Sequence, residues 1–294
     1  MISLLSRKEI DDTRWNACIE QSQHPSVTAY TWYLDIVAPD WQALVLHNYL
    51  AVLPLPVKKK YGINYLLQPL FTKLMGIYAK QQPDENLVCK FLDAIPSSIK
   101  YIDININQTQ RLNISGFTQK EKSYQMLHLN RPYNQIASGY HENVVRSIKK
   151  ANKQHVFIKE MSDTKDIIKM YQMQVGYKLK HIKKAHYKTL ETILVKAQEQ
   201  GRGKGLGVFD INGQSIASAF FMNTTTNISF YMGSSTKQGK QAGAMTFLFD
   251  YIFKSYCESH SVFDFEGSSI KSIADFNKKF GAEDYCYRQI KKVK

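Results

Sequence analysis

The sequence predicts a protein of the α+β/α-β class, divided into two domains at residues 1–132 and 133–294. Three observations support this prediction. The 294 residues exceed the usual size of one domain. In the second half, strand patterns are joined by Asn212-Gly213, a strong hairpin signal. Residues 228–267 then follow the order strand, glycine-bearing loop, helix and strand, which is typical of a parallel pair with a right-handed crossover.

Hydrophobic periodicity assigns the elements of the first domain. A capped helix is predicted at residues 8–21, and a second helix at 84–94 carries one apolar face. Three consecutive lysines at 58–60 indicate a solvated hairpin end, not a nucleic-acid patch. The predicted strands lie at residues 42–46, 49–55, 61–67, 100–106 and 123–129.

Pro132 interrupts the strand pattern, so the domain boundary is placed there. One long amphipathic helix follows at residues 135–154, and Ser162 is predicted to cap the next helix. The remaining helices are expected at residues 185–200, 244–252 and 270–280. The strands of this half are expected at residues 155–160, 208–211, 215–222, 228–232, 261–266 and 285–291.

A run of four alternating glycines occupies residues 201–207 and invites comparison with a phosphate-binding loop. A nucleotide-binding glycine loop leads from a strand into a helix, whereas this run leads from a helix into a strand. We therefore expect a helix C-cap followed by a mobile connector.

The charge is uneven along the chain. Residues 126–294 hold 26 Lys and Arg against 14 Asp and Glu, which gives +12 of the total net charge of +14. This excess predicts an anionic partner, such as a nucleotide, a phosphate-bearing cofactor, tRNA or an acidic lipid. A basic surface that only promotes solubility is the alternative.

Several classes of protein do not fit the sequence. The four cysteines are far apart and form no zinc or disulfide pattern, so we expect buried or half-buried thiols. His181 and His186 are five residues apart and do not share a helix face, so no metal site is predicted. No stretch has the length of a membrane span, and Arg7 comes too early for a signal peptide, so a cytoplasmic location is expected.

Three local motifs carry a resemblance to a known family: NVVRSIKKANK at residues 143–153, FDFEG at 263–267 and IADFNKKFG at 273–281. The element order of the second half resembles the GNAT acyltransferase fold, and the first half repeats it in degenerate form. The whole chain therefore resembles the Fem (FemABX) family of peptidyl/aminoacyl transferases and its acetyltransferase-like relatives. The resemblance implies two tandem GNAT-like domains, each with a mixed, mostly antiparallel sheet, a splayed parallel pair and flanking helices.

The resemblance also implies an N-acyl or aminoacyl transfer to an amine on an anionic acceptor, with a cell-envelope precursor as the family's example. The co-substrate would be an acyl-CoA or an aminoacyl-tRNA, with no permanently bound cofactor. Two departures bear on the donor. The motif before the central helix ends in Met245, where CoA-binding enzymes carry Gly or Ala, and residues 157–208 leave no room for a long tRNA-binding arm.

The predicted donor site combines a polar loop, rich in backbone N–H groups, with the N-terminus of a helix, where negative charge is stabilised. In the GNAT-like fold the backbone of the preceding strand would pair with the extended arm of the donor, and the loop would bind phosphate. The residues predicted to hold the donor are Phe230, Met232, Gly233, Lys237, Gly239, Lys240, Gly243 and Ala244.

Asp264 and Glu266 are the candidate general bases, because the alternating pattern places both on one face at the end of a strand. They would alternatively hold an ammonium group. Tyr231 is the candidate proton donor to the leaving group, with Tyr285 as a second, although a tyrosine in a strand is more often a packing residue. Arg146 and Lys149 are the substrate-binding candidates: they would contact phosphates of the acceptor, or else simply lie on a solvated face.

Two rival functions remain open at this point. The first is a catalytically inactive GNAT-like protein that binds an anionic ligand, a reading favoured by the imperfect glycine motif. The second is an RNA-binding module, suggested by the charge and the many tyrosines, although no RNP or KH pattern is present. The sequence leaves the oligomeric state and the identities of donor and acceptor undecided.

Overall fold

The computed structural model describes residues 1–179, 181–266 and 270–293. The chain divides into two compact units. Unit 1 comprises Met1–Ser123 with Tyr285–Lys294, and unit 2 comprises Tyr124–Asp284. The mixed α/β composition is as predicted. The division into domains at 1–132 and 133–294 and the tandem repetition stay predictions.

Unit 1 begins with strand β1 and contains three helices. The helices are α1 (Asp12–Glu20), α2 (Thr31–Val37) and α3 (Glu85–Asp93). The strands are β1 (Ile2–Ser6), β2 (Gln42–Leu46), β3 (Ala51–Leu55), β4 (Val57–Lys60), β5 (Ile63–Leu67), β6 (Tyr78–Ala79), β7 (Ile99–Ile106), the first part of β8 (Thr118–His128) and most of β14 (Glu283–Val293).

The strands of unit 1 form two sets. The first has the order β1-β2-β3-β6 and is antiparallel throughout, and the second has the order β4-β5-β7-β14. The pair β5–β7 is parallel, whereas β4–β5 and β7–β14 are antiparallel. Ile102, Ile104 and Ile106 share the buried face of β7, and Ile290 of β14 joins the same core.

Unit 2 contains the second part of β8 and the elements that follow it. Its helices are α4 (Tyr133–Ser138), α5 (Glu142–Lys153), α6 (Thr164–Gln174), α7 (Lys184–Glu199), α8 (Lys237–Ala242), α9 (Ala244–Tyr256) and α10 (Lys271–Lys278). Its further strands are β9 (Phe157–Glu160), β10 (Gly203–Phe209), β11 (Ser215–Asn223), β12 (Asn227–Ser235) and β13 (Val262–Asp264).

The sheet of unit 2 has the order β8-β13-β12-β11-β10-β9. Its neighbouring strands are antiparallel except for the pair β12–β13, which is parallel. Helix α9 packs on this sheet through Phe249 and Phe253, whose rings meet Phe263 at centroid distances of 5.6 and 4.9 Å. These phenylalanines form the centre of the core of unit 2.

Two predicted helices have different boundaries in the structure. Helix α1 begins at Asp12 because the side chain of Asp11 accepts the amides of Thr13 and Arg14, which sets the N-cap there. The single helix predicted at residues 135–154 is wrong, because it is divided into α4 and α5 at residues 139–141. His141 caps the second helix by accepting the amide of Asn143.

The predicted cap at Ser162 is also displaced by one residue. The side chain of Asp163 accepts the amide of Lys165, so Asp163 is the N-cap of α6. In unit 1 the lysines at 58–60 belong to β4, a strand that was not predicted. Strand β4 pairs with β5 through a two-residue turn, and its three lysines are exposed, as predicted for a solvated hairpin end.

The prediction of a mobile connector at residues 201–207 is wrong. Strand β10 starts at Gly203, and its three glycines face neighbours that leave no room for a side chain. A Cβ on Gly205 would lie 2.6 Å from the carbonyl oxygen of Met161, and one on Gly203 would lie 2.7 Å from the Cβ of Ala197. The glycines are therefore needed for close packing against the chain beside β10.

Two further expectations concern cysteines and membrane spans. Cys18 is a buried free thiol, and the other three cysteines are half-buried and free, as predicted. Among the described helices, none combines the length and the apolar character that crossing a bilayer requires.

Candidate functional site

The parallel strands β12 and β13 separate after a short paired segment. Asn227, Ile228 and Ser229 lie opposite Val262, Phe263 and Asp264, and β13 ends there. Strand β12 continues to Ser235, still paired with β11 on its other side. The predicted splay of this pair is therefore present in unit 2.

A β-bulge lies in β12 next to the point of separation. Phe230 pairs with Phe221 and Met232 pairs with Phe220, which leaves Tyr231 as the extra residue. Phe230 and Tyr231 are half-buried, whereas Met232 is buried at 7% exposure. A bulge increases the local twist of a strand and changes the direction of its side chains. The predicted donor-binding residues 230–233 thus lie on the bulged, diverging part of β12.

The predicted loop from Gly233 to Gly239 is a strand end and a short helix. Gly233 belongs to β12 and pairs with Ala219, while Gly239 lies inside α8. Thr236 caps this helix: its hydroxyl accepts the amide of Gly239 at 3.0 Å, and its carbonyl accepts the amide of Lys240 at 3.0 Å. These two amides already have acceptors within the protein, and their binding of phosphate stays a prediction.

Helix α8 is held in place by backbone contacts with β11. The amide of Thr236 donates to the carbonyl of Ile216 at 2.9 Å, and the Thr236 hydroxyl donates to the same oxygen at 3.2 Å. A Cβ on Gly239 would overlap this carbonyl oxygen and lie 2.9 Å from its carbon. Glycine is required here because the helix lies directly on the backbone of β11.

The step from α8 to α9 occurs at Gly243, whose φ of 75° is left-handed. Its amide donates to the carbonyl of Lys240 at 3.3 Å, so this amide also has an acceptor within the protein. Ala244 is buried and begins α9, and the first amides of a helix have no acceptor within the helix. Lys237 and Lys240 are exposed on α8, so their charges face solvent.

The two candidate carboxylates follow one another at the end of β13. Asp264 is half-buried, and its Oδ1 accepts the backbone amide of Glu266 at 2.7 Å. Glu266 lies beyond the strand with a left-handed φ of 58°, so the predicted alternation that would place both carboxylates on one strand face ends at Phe265. Phe263 and Phe265 are both buried, and Gly267 of the same motif lies outside the described residues.

Gln125 positions this strand end and was missed in the sequence. Its carbonyl accepts the amide of Phe265 at 3.1 Å, and its side chain joins Asn277 and Asp284 at 3.2 and 3.0 Å. An ion pair with Lys278 holds the pKa of Asp284 below its ordinary value. Gln125 has 0% exposure, and a glutamine within an otherwise apolar strand segment is the signal that could have identified it.

A second polar group that the sequence did not reveal consists of Asp250 on α9 and two tyrosines. Asp250 is 9% exposed, and its Oδ1 accepts the hydroxyls of Tyr133 and Tyr140 at 2.7 and 2.9 Å. Burial, followed by the neighbouring carboxylate, raises the pKa of both tyrosines well above 10. An acidic residue in the middle of the apolar helix α9 was the available signal.

The candidate acceptor residues lie on α5. Arg146 and Lys149 are both exposed, and Arg146 donates to the side chain of Asn143 on the same helix. Ser147 of α5 contacts the junction of α8 and α9, since a Cβ on Gly243 would lie 3.1 Å from the Cβ of Ser147. This contact places one turn of α5 beside the start of α9. Tyr285, the second candidate proton donor, belongs to unit 1.

Across residues 1–179, 181–266 and 270–293, no group of three or more His, Cys, Asp and Glu side chains could hold a metal ion. The functional features of unit 2 are therefore a splayed parallel pair, a bulge on the longer strand, and a helix that starts beside it. Of these, the splayed pair and the helix are features that the resemblance to the GNAT acyltransferase fold implied.

No protein-family model matches the sequence. No curated protein matches it either. Solved structures match over nearly the whole chain. The chain is similar to the crystal structure of FemX, with a TM-score of 0.68 and 10% identity over 97% of this chain and 96% of that one.

Two other solved structures have the same fold. A conserved protein of unknown function from Bacteroides thetaiotaomicron gives a TM-score of 0.66 at 9% identity, over 97% of both chains. The C-terminal domain of a putative lysylphosphatidylglycerol synthetase from Agrobacterium fabrum gives 0.56 at 12% identity, over 94% of this chain and 91% of that one. At these identities the likeness concerns the fold.

Proposed function

We propose that this chain is an acyl or aminoacyl transferase that moves an acyl group from an activated donor to an amine on an anionic acceptor. The observation that carries the proposal is the splay of β12 from β13 next to the bulge at Tyr231. The proposal is also supported by the fold that this chain shares with FemX and with the putative lysylphosphatidylglycerol synthetase domain.

The donor would lie along the diverging part of β12. An extended acyl-bearing arm can pair with the backbone of a strand edge, independently of side chains. The start of α9 at Ala244 would supply helix amides for a phosphate, with Lys237 and Lys240 adding positive charge nearby. An acyl-CoA and an aminoacyl-tRNA both fit this description, and no permanently bound cofactor is needed.

The reaction is an aminolysis. The acceptor nitrogen attacks the donor carbonyl carbon, the new C–N bond forms, and the C–S or C–O bond to the donor breaks. Asp264 or Glu266 would accept the proton that leaves the nitrogen, and Tyr231 would give a proton to the departing thiolate or alkoxide. One good hydrogen-bond donor to the tetrahedral oxyanion contributes about 3–4 kcal/mol to such a step.

The acceptor would be bound through its negative charge. Arg146 and Lys149 lie on the helix that contacts the α8–α9 junction through Ser147. Their guanidinium and ammonium groups suit phosphate or carboxylate groups. A cell-envelope precursor and a tRNA both carry such anionic groups, and both are proposed partners.

Binding and transfer can be measured separately. The first assay is thermal stabilisation of the full chain by acetyl-CoA, by longer acyl-CoAs and by UDP-linked sugars, and the second is amide formation from thioester or aminoacyl-tRNA donors. Asp264→Asn and Glu266→Gln should abolish or strongly reduce turnover and keep ligand-induced stabilisation. Asp275→Asn, an exposed carboxylate on α10, is the matched control. Full activity in both site variants would refute the assignment of the base.

A second function, that of an inactive protein that binds an anionic ligand, is favoured by one observation. The amides of Gly239, Lys240 and Gly243, which a phosphate-binding loop would offer, have acceptors inside the protein. Stabilisation by an anionic ligand without transfer from either class of donor would decide for this function.

A further inference from the structure

The connection between α6 and α7 carries two exposed apolar side chains. Met173 is 66% exposed on the last turn of α6, and Tyr177 is 68% exposed in the short 3-10 turn that follows. They are four residues apart. Scattered single apolar residues are common on protein surfaces, whereas two large apolar side chains close together at the end of one helix indicate an interaction surface.

One side of this connection packs against α7, and Met173 and Tyr177 lie on its exposed side. A Cβ on Gly176 would lie 2.7 Å from the hydroxyl of Tyr187 on α7, so the turn rests directly on that ring. Tyr171 lies on the same side, where burial raises its pKa. The exposed positions of Met173 and Tyr177 therefore belong to a structured turn.

The same connection is strongly basic. Residues 169–188 contain six lysines and no Asp or Glu. Five of these lysines lie in the described part of the chain, and all five are exposed: Lys169, Lys178, Lys183, Lys184 and Lys188. Two half-buried lysines of unit 2, Lys196 and Lys204, instead pair with Glu199 and Glu160.

We propose that this basic tip, defined by Met173, Tyr177 and the five lysines, docks on an anionic membrane surface. A tyrosine sits well at the level of the lipid headgroups, and a methionine can enter the boundary of the acyl chains. Lysines near an anionic bilayer add about 1 kcal/mol each, which makes binding dependent on the lipid charge. This proposal is independent of the transferase activity.

The composition of the tip favours a membrane over RNA. Single-stranded RNA is bound through several aromatic rings on which bases stack, often together with arginines. The segment 169–188 contains no arginine, and of its tyrosines only Tyr177 is exposed. An aliphatic Met173 beside a single ring suits insertion between lipids better than stacking on bases.

Flotation of the full chain with vesicles tests the proposal. The vesicles contain either phosphatidylcholine alone or an equal mixture of phosphatidylcholine and phosphatidylglycerol, at about 0.15 M salt. We expect binding to the mixed vesicles only. Replacing three lysines of the tip should weaken this binding about a hundredfold, and replacing the apolar pair should weaken it about tenfold. These variants are Lys178→Gln with Lys184→Gln and Lys188→Gln, and Met173→Ser with Tyr177→Ser.

The control removes the same charge from another exposed lysine cluster. The β4–β5 hairpin carries three lysines beside Tyr61, which is 88% exposed. The variant with Lys58→Gln, Lys59→Gln and Lys60→Gln should bind mixed vesicles within about twofold of the unaltered chain, because the proposal assigns docking to the tip between α6 and α7 and not to this hairpin. Circular dichroism verifies that all variants fold.

Three outcomes would overturn the proposal. The first is equal binding to both kinds of vesicle, or binding to neither. The second is an equal loss of binding in the hairpin control, which would indicate general electrostatic attraction. The third is binding of a short single-stranded RNA that the lysine variant loses while vesicle binding is absent, which would identify the tip as an RNA-binding site.

Discussion

Replacing Gly239 by alanine tests whether α8 lies directly on the backbone of β11. In an exposed helix this substitution would stabilise the fold by about 1 kcal/mol, because alanine is the better helix former. Here the new methyl group would overlap the carbonyl oxygen of Ile216 and lie 2.9 Å from its carbon. A backbone obstacle cannot rotate away as the end of a side chain can.

The cost of the substitution follows from what must move. Overpacking of this kind costs about 1–3 kcal/mol. If α8 moves away from β11, the two hydrogen bonds from Thr236 to the Ile216 carbonyl also weaken, and each contributes about 1 kcal/mol. After subtraction of the helix-propensity gain, we expect a net loss of about 2 kcal/mol in the free energy of unfolding.

Urea denaturation followed by circular dichroism measures this loss as a lower midpoint at an unchanged slope. Gln241→Ala is the matched control, since Gln241 is exposed on the same helix, and its midpoint should stay within experimental error. A Gly239→Ala protein as stable as the unaltered chain, or more stable, would refute the close contact between α8 and β11.

Three other predictions concern unit 2. Gly205→Ala should lower the free energy of unfolding by about 1–3 kcal/mol in the same assay, because its Cβ would lie 2.6 Å from the Met161 carbonyl; an unchanged midpoint would contradict the packing of β10. Tyr140→Phe should cost about 2 kcal/mol, as expected for a hydrogen bond to a buried carboxylate, whereas the exposed Tyr177→Phe should cost nothing measurable. Finally, stability should fall as the pH rises above about 10, because Tyr133 and Tyr140 have raised pKa values in the folded state and an ordinary pKa of about 10 when unfolded. Their contribution is complete below pH ~10 and is lost above it as the unfolded chain releases these protons first; the double variant Tyr133→Phe with Tyr140→Phe should flatten this decline, and an equally steep decline would exclude the two tyrosines as its cause.

The strands with alternating apolar residues were predictable from the sequence. In β7, Ile102, Ile104 and Ile106 determine one buried face whatever the neighbours are. The glycines of β10 give no such pattern, since a glycine has no side chain to bury. That segment is a strand because Met161 and Phe220 approach it closely, and these contacts depend on residues far away in the sequence.

The candidate site was predictable in outline but not in its backbone detail. The parallel pairing of β12 and β13 follows from the order of strand, helix and strand, which the hydrophobic pattern shows, whereas their splay was implied by the resemblance to the GNAT acyltransferase fold. Polar residues and glycines at 233–239 are typical of a loop, yet Thr236 caps a helix there, and Ile216 selects glycine at position 239 by direct contact. Likewise, the left-handed φ of Glu266 ends the extended backbone conformation that the alternating sequence pattern predicts through this residue.

The pairing of β14 with β7 has a consequence for the order in which the protein is made. Arg288 lies opposite Ile106 and Ile290 opposite Ile104, so a segment translated after all of unit 2 completes the core of unit 1. On the ribosome, unit 2 can fold first. Until β14 has been synthesised, strand β7 of unit 1 keeps an unpaired edge. Such a delay is a period in which an unpaired edge can meet another chain, and a chaperone would have most to protect during it.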